Sequence, residues 1–202
     1  MKRQLKKIVC LALITSMILG QKTLKTTKNV TAKEKKDIKI AIDAGHQARG
    51  NFAMEPVGPG SGTRKAKVAG GATGVASHVP EYKLTLAVSK KLQKELKARG
   101  YKVYMIRTKN NVNISNKKRA QLANKSGADI YIRIHADSSN SRAVTGASGL
   151  YPSKANRYVS KLSAKSKKLS SCLLKSYCKK TKIRNRGLVA RDDLTGTNWS
   201  KI

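Results

Sequence analysis

The sequence predicts an α/β domain with a mixed, mostly parallel sheet and flanking helices. Three observations carry this reading. Apolar, β-branched runs at residues 38–42, 101–107 and 130–135 read as strands. Segments of helical period stand between and after them, giving the order strand, loop, helix, strand, helix, strand, helix. Finally, 202 residues with 39% hydrophobic content suffice for one domain with a proper core plus a short extension, and no internal repeat interrupts them.

The elements follow in order. Lys2, Arg3, Lys6 and Lys7 precede an apolar stretch at residues 8–20, the pattern of a secretory signal. The stretch is short for a membrane-spanning helix, which needs roughly 20 apolar residues. No clean small-x-small cleavage site follows it, which leaves an uncleaved anchor open. Residues 1–20 are thus expected to be a signal peptide, 21–37 a basic linker rich in Lys and Thr, and 38–202 the folded domain, exported to the cell wall or beyond.

The first strand, 38–42, runs into Asp43-Ala44-Gly45-His46, where Gly45 is expected to let the backbone turn sharply. Residues 47–80, with seven glycines, Pro56 and Pro59, read as a long loop, and a loop of that length beside His46 is expected to wall a site. Pro80-Glu81 then opens a helix. Its stripe of Leu84, Val88, Leu92 and Leu96, with Ala87 beside it, is expected to pack on the sheet, and Arg99-Gly100 closes it.

After the strand at 101–107, Ser115 can cap a shorter helix holding Arg119, Ala120, Leu122 and Ala123 and ending near Gly127. The strand at 130–135 delivers His135. A last amphipathic helix is expected from about 157 to 180, with Val159, Leu162, Leu169 and Leu173 on one side.

Charge limits the partners. Lys+Arg number 44 against 10 Asp+Glu, a formal +34, so the chain should adhere to polyanions. Residues 138–191 hold 14 Lys+Arg and no Asp or Glu. Export favours anionic wall polymers over nucleic acid, and a single Phe and a single Trp leave little for base stacking. Contact with membrane is expected only through the N-terminal signal. The plain alternative is a solvated cationic surface with no specific partner. Cys10 falls in the signal, while Cys172 and Cys178 lie six apart on different faces of a helix and are not expected to pair.

Two strands that deliver imidazoles at their C-terminal ends suggest a metal site. A hydrolytic zinc site wants three protein ligands of the His/Glu type and one position open to water. Glu81, at the helix start near those strand ends, is the best third ligand after His46 and His135. Each residue also has a plainer reading. A histidine after a strand can be a loop residue, and a first-turn glutamate can serve the helix dipole. His78 competes for the third place, although Pro80 separates it from the helical face of Glu81.

Asp43-Ala44-Gly45-His46, Glu81 at a helix start, Arg119-Ala120-x-x-Ala123-Asn124 and Ile132-x-Ile134-His135-Ala136-Asp137 occur in that order. Together they resemble the zinc-dependent N-acetylmuramoyl-L-alanine amidases of the Amidase_3 type, secreted clostridial members in particular. Arg186-Gly187-Leu188 and the run from Arg191 to Trp199 resemble them too, so the likeness extends from about residue 39 to 202. It implies a phosphorylase/hydrolase-like amidase fold and Zn2+ held by His46, Glu81 and His135. It also implies peptidoglycan as substrate, cut at the amide between the lactyl group of N-acetylmuramic acid and L-alanine.

In that family the general base is a glutamate on a final strand. The matching position would lie beyond Ile202, so no catalytic residue is assigned, and the expectation is a domain short of its last strand. Such a domain should bind zinc more weakly and lose about 10²–10⁴ in rate. Glu55 and Asp137 are poor substitutes, Asp137 being better placed to support a ligand. The alternative function is a non-catalytic basic module that binds the cell wall.

Overall fold

The computed structural model describes residues 34–139, 141 and 143–202. The expected signal, and the linker up to residue 33, lie outside the described residues. Among the described residues, no helix is long and apolar enough to cross a membrane.

Strand β1 (Lys39–Ala44) is the middle of the main sheet. Five of its six residues are buried, as both faces of a central parallel strand should be. Its alternate side chains feed two cores. Ile40, Ile42 and Ala44 pack with Leu86, Leu92 and Leu96, whereas Ala41 packs with Leu122, Ala123 and Ile106 on the other face.

Residues 47–80 are not one long loop. They hold an antiparallel hairpin of β2 (Asn51–Pro56) and β3 (Arg64–Val68). The register shifts between Asn51 and Met54, which breaks the two-residue alternation that marks a strand in sequence. Phe52 and Met54 also face solvent while Glu55 is buried, which inverts the pattern expected of a strand on a core.

Helix α1 (Glu81–Ala98) starts after Pro80 as expected, but its buried face differs from the expected stripe. Leu84 and Val88 are exposed, and the buried residues are Glu81, Thr85, Leu86 and Ser89. A row of side chains four apart drifts by about 40° per step around a helix of 3.6 residues per turn. By Leu92 and Leu96 the row has rotated onto the sheet, while Leu84 and Val88 still lie to one side. At the N-terminal end the inward positions are the polar Glu81, Thr85 and Ser89.

Strand β4 (Lys102–Met105) pairs parallel with β1 on one edge. Helix α2 (Asn116–Lys125) begins where predicted, the Ser115 hydroxyl accepting the Lys118 N–H at 3.1 Å. Strand β5 (Ile130–Ile134) pairs parallel with β1 on the other edge, giving the order β4-β1-β5.

Two strands were not read from the sequence. β6 (Ala147–Tyr151) and β7 (Asn185–Ala190) form a parallel pair joined through helix α3 (Ser163–Thr181), a βαβ unit. Glycines 149 and 187 interrupt both runs. A Cβ at Gly149 would press on the Leu188 side chain at 2.8 Å and on Ser170 of α3 at 3.2 Å, and Gly187 takes a left-handed φ of 84°. α3 starts later than residue 157, following a 3₁₀ turn at Ser160–Leu162, and it buries Leu174 while Leu173 stays exposed. Cys172 and Cys178 on α3 form no disulfide among the described residues. A short helix, α4 (Thr195–Asn198), sets Gly196 so tightly on Arg133 that a Cβ there would collide with the guanidinium.

Candidate metal centre

The chain passes from β1 to β4 on one side of the sheet and then to β5 on the other, so its direction reverses between β1 and β5. Ligands of open parallel sheets gather beyond the C-terminal strand ends at such a reversal. The register places Ala44 opposite Ile134, so His46 and His135 emerge at this same edge. The Gly45 N–H donates to the Ile134 carbonyl at 2.9 Å and carries the ladder one step further.

Gly45 is needed there for a different reason than a sharp turn. A Cβ at Gly45 would collide with the His135 ring. The left-handed backbone expected of the glycine falls instead on His46, whose φ is 59°. Gly71, with φ of 86°, is confined from the opposite side, since its Cβ would stand 2.9 Å from the His46 ring and 3.2 Å from a Glu81 oxygen.

Glu81 draws three segments together. Its Oε2 lies 3.3 Å from His46 Nε2 and accepts the Ala72 N–H at 2.9 Å. Its Oε1 lies 3.1 Å from His135 Nδ1 and accepts the Ala136 N–H at 2.8 Å. The carboxylate therefore turns away from the N–H groups of its own helix, and the dipole reading of Glu81 does not describe it. His46 Nδ1 is 2.8 Å from the Ala69 carbonyl, and the two rings meet edge-on with centroids 4.8 Å apart. The donor atoms of His46, Glu81 and His135 all lie within 4.8 Å of one another. His78, the competitor, stands outside this cluster, exposed and with φ of 52°.

Beneath the cluster lies a buried polar layer. Asp43 is fully buried and takes Arg119 at 2.6 Å, Arg133 at 2.9 Å and the Tyr131 hydroxyl at 3.1 Å. Arg119 also donates to the carbonyls of Ala44, His46 and Ile114. Arg107, 2% exposed, donates to the Ala44 and Gly45 carbonyls and to the Tyr82 carbonyl. Arg119 stood in the quoted sequence pattern. Arg107, Tyr131, Arg133 and Thr85 did not; the only sequence signal was a polar residue set inside or just after an otherwise apolar run.

The electrostatics suit a cation. Burial pushes the Glu81 carboxyl up, but its contacts with His135 and His46 and the two backbone N–H groups outweigh this and hold it well below the usual carboxylate range. Burial pulls His135 down; Glu81 offsets this in part, while the charges of Arg133 and His46 add to it, leaving the ring neutral more readily than usual. His46 is pulled down by burial and raised further by Glu81 and the Ala69 carbonyl, for a net rise. A carboxylate that stays ionised between two imidazoles is the donor chemistry that zinc takes. The side chains are 16%, 5% and 39% exposed for His46, Glu81 and His135, so the cluster opens to solvent on the His135 side.

Glu55 is not placed for catalysis: it lies in β2, 4% exposed, and accepts the Lys117 N–H at the start of α2 at 2.9 Å. Among the described residues, Glu81 is the one carboxylate in contact with either imidazole.

The Amidase_3 family model, described as N-acetylmuramoyl-L-alanine amidase, matches residues 40–202. No curated protein sequence matches the chain. Among solved structures, the N-acetylmuramyl-L-alanine amidase Ami1 from Mycobacterium smegmatis is similar with a TM-score of 0.72 at 20% identity, over 84% of this chain and 80% of that one. The N-acetylmuramoyl-L-alanine amidase from Clostridium difficile 630 gives 0.62 at 27% identity, over 82% of this chain and 75% of that one. The catalytic domain of CwlV from Bacillus (Paenibacillus) polymyxa gives 0.61 at 22% identity, with the same coverage.

Proposed function

From the premise that this chain belongs to the Amidase_3 family of N-acetylmuramoyl-L-alanine amidases, we propose that it uses His46, Glu81 and His135 to hold a single zinc ion and cleaves peptidoglycan at the amide between N-acetylmuramic acid and L-alanine. The observation that carries this reading is the convergence of the three donor atoms within 4.8 Å at the C-terminal edge of the parallel sheet.

Zinc bound there supplies Lewis acidity toward the scissile carbonyl and lowers the pKa of water toward neutrality. The protein's own groups prepare the site for it. Donation from His46 Nδ1–H to the Ala69 carbonyl fixes the tautomer and leaves the lone pair on Nε2, the atom facing Glu81. Both Glu81 oxygens are engaged by backbone N–H groups, which suits a fixed ligand rather than a mobile proton carrier. The exposed side of His135 leaves the approach that water and a bulky polymer require.

The basic-then-apolar stretch at residues 1–20 supports export to the cell wall. The exposed lysines of α3, among them Lys165, Lys168, Lys175 and Lys179, support adhesion to anionic wall polymers. Zinc content and amide cleavage, measured for the wild-type chain and for His46→Ala, test the central reading. Loss of both in the variant is expected. Cleavage that survives His46→Ala overturns it.

A further inference from the structure

The three candidate ligands come from three separate elements, and something must set the distances between them. His135 is fixed by the close approach of its ring to Gly45. His46 and Glu81 lie on different elements, the loop after β1 and the first turn of α1. Arg107 spans that gap. It follows β4 and Ile106, and its guanidinium enters the interior between the two elements.

Every donor of Arg107 is spent there. Nε donates to the Ala44 carbonyl at 2.8 Å, and one terminal nitrogen donates to Gly45 O at 2.9 Å, Tyr82 O at 2.8 Å and Thr85 Oγ1 at 3.2 Å. The other terminal nitrogen donates to Lys109 O and Asn110 Oδ1, both at 3.1 Å. Ala44 and Gly45 immediately precede His46, and Tyr82 immediately follows Glu81. Thr85 closes the same circuit, its hydroxyl donating to Gly45 O at 2.8 Å from one turn up the helix. Asn110 extends it, its carbonyl accepting the Ala48 N–H beyond His46 at 2.9 Å.

Among the described residues, no carboxylate pairs with this cation at hydrogen-bonding distance. A buried guanidinium held by neutral oxygens alone is a costly way to stabilise a fold. It is an effective way to lock two backbones together, because the planar fork fixes several acceptors at once.

Building on the zinc reading, we infer that Arg107 is a positioning residue of the metal site, tying the His46 loop to the Glu81 turn and setting the spacing between those two ligands. Partners that orient metal ligands typically contribute about 10–100-fold to metal affinity. Lysine cannot take over, since a single ammonium cannot reach the strand end, the loop and the helix turn together.

The test measures the zinc dissociation constant by chelator competition for the full chain, alongside denaturant unfolding of the zinc-free forms. Arg107→Lys and Arg107→Gln should weaken zinc binding about 10–100-fold under conditions where the zinc-free variants are fully folded. A purely structural role moves the unfolding midpoint and leaves the affinity of the folded form alone. Folded variants that bind zinc as wild type does overturn the assignment.

Should neither variant fold, Thr85→Val decides, since it keeps side-chain volume and removes one link of the circuit. Several-fold weaker binding supports the assignment, and unchanged affinity overturns it. Zinc binding by wild type that persists in His46→Ala, or no binding by wild type at all, brings down the zinc reading and this assignment with it. Normal wild-type binding with unaltered Arg107 and Thr85 variants brings down the assignment alone.

Discussion

Glu81 accepts the backbone N–H of Ala136 at 2.8 Å, so a side chain at the start of α1 anchors the residue that follows His135. With the Ala72 N–H on its other oxygen, this carboxylate ties the post-β3 loop to the end of β5 independently of any metal. Glu81→Gln keeps the shape but turns one acceptor oxygen into a donor amide facing a backbone N–H. The zinc-free variant should lose about 1–3 kcal/mol in denaturant unfolding, because a buried polar group is left unpaired. Zinc uptake should fall with it.

Gly45→Ala tests the packing of the site rather than its chemistry. The backbone at Gly45 is ordinary, and the difficulty is the His135 ring where the Cβ would go. We expect a destabilisation of about 1–3 kcal/mol and impaired zinc binding, as for other overpacked sites. Gly70→Ala is the control, because open space surrounds that position, and it should change stability by no more than about 0.5 kcal/mol.

Asp43 governs the response to acid. Burial raises its pKa, but Arg133 and Arg119 more than reverse this, so it lies below the ordinary 3.8 in the folded protein. A depressed carboxyl stabilises the fold above its unfolded value and loses that contribution as pH falls through the folded one. Stability should therefore decline from about pH 4 downward. Asp43→Asn should be less stable at pH 7, by about 3–5 kcal/mol if the guanidiniums stay buried, and its profile below pH 4 should be flatter. Denaturant midpoints collected between pH 6 and 2 check both.

Zinc uptake should be coupled to protons. Contacts with Glu81 and the Ala69 carbonyl outweigh burial and raise the His46 pKa above the ordinary imidazole value without metal, so at pH 6 most molecules must release a proton to bind zinc, and fewer must as pH rises through that raised pKa. Calorimetry in buffers of different ionisation enthalpy should find proton release that diminishes over this range. Release that is absent at pH 6 contradicts a role for His46 as ligand.

Adhesion and cleavage should part company in salt. Binding to anionic wall polymers through residues 138–191 should weaken steeply between about 0.05 and 0.5 M salt, where the screening length shortens from about 14 Å to about 4 Å. Cleavage of small, uncharged muropeptide amides should change little over that range. A chain that only adheres, without cleavage at any salt concentration, favours the non-catalytic wall-binding reading.

How much of this could be read in the sequence depended on the kind of interaction. His46 and His135 were legible because each ends a short apolar strand, and parallel pairing does the rest. Glu81 was legible because Pro80 marks the helix start. The partners of Arg107 were not, since backbone carbonyls offer the same acceptor at every position and leave no trace in residue type. β2 and β3 were hidden by a register shift and by an inverted pattern in which Phe52 and Met54 face water while Glu55 is buried, and β6 and β7 by the glycines inside their runs. Ser89, buried on α1 without a hydrogen-bond partner, has no account in either sequence or structure.

Position 46 sets two requirements against each other. Left-handed backbone belongs by preference to glycine or asparagine, and an imidazole there costs about 1–2 kcal/mol. A thermostability screen blind to metal would therefore tend to replace His46 early. It would return a tougher protein stripped of the side chain that the proposed site can least do without.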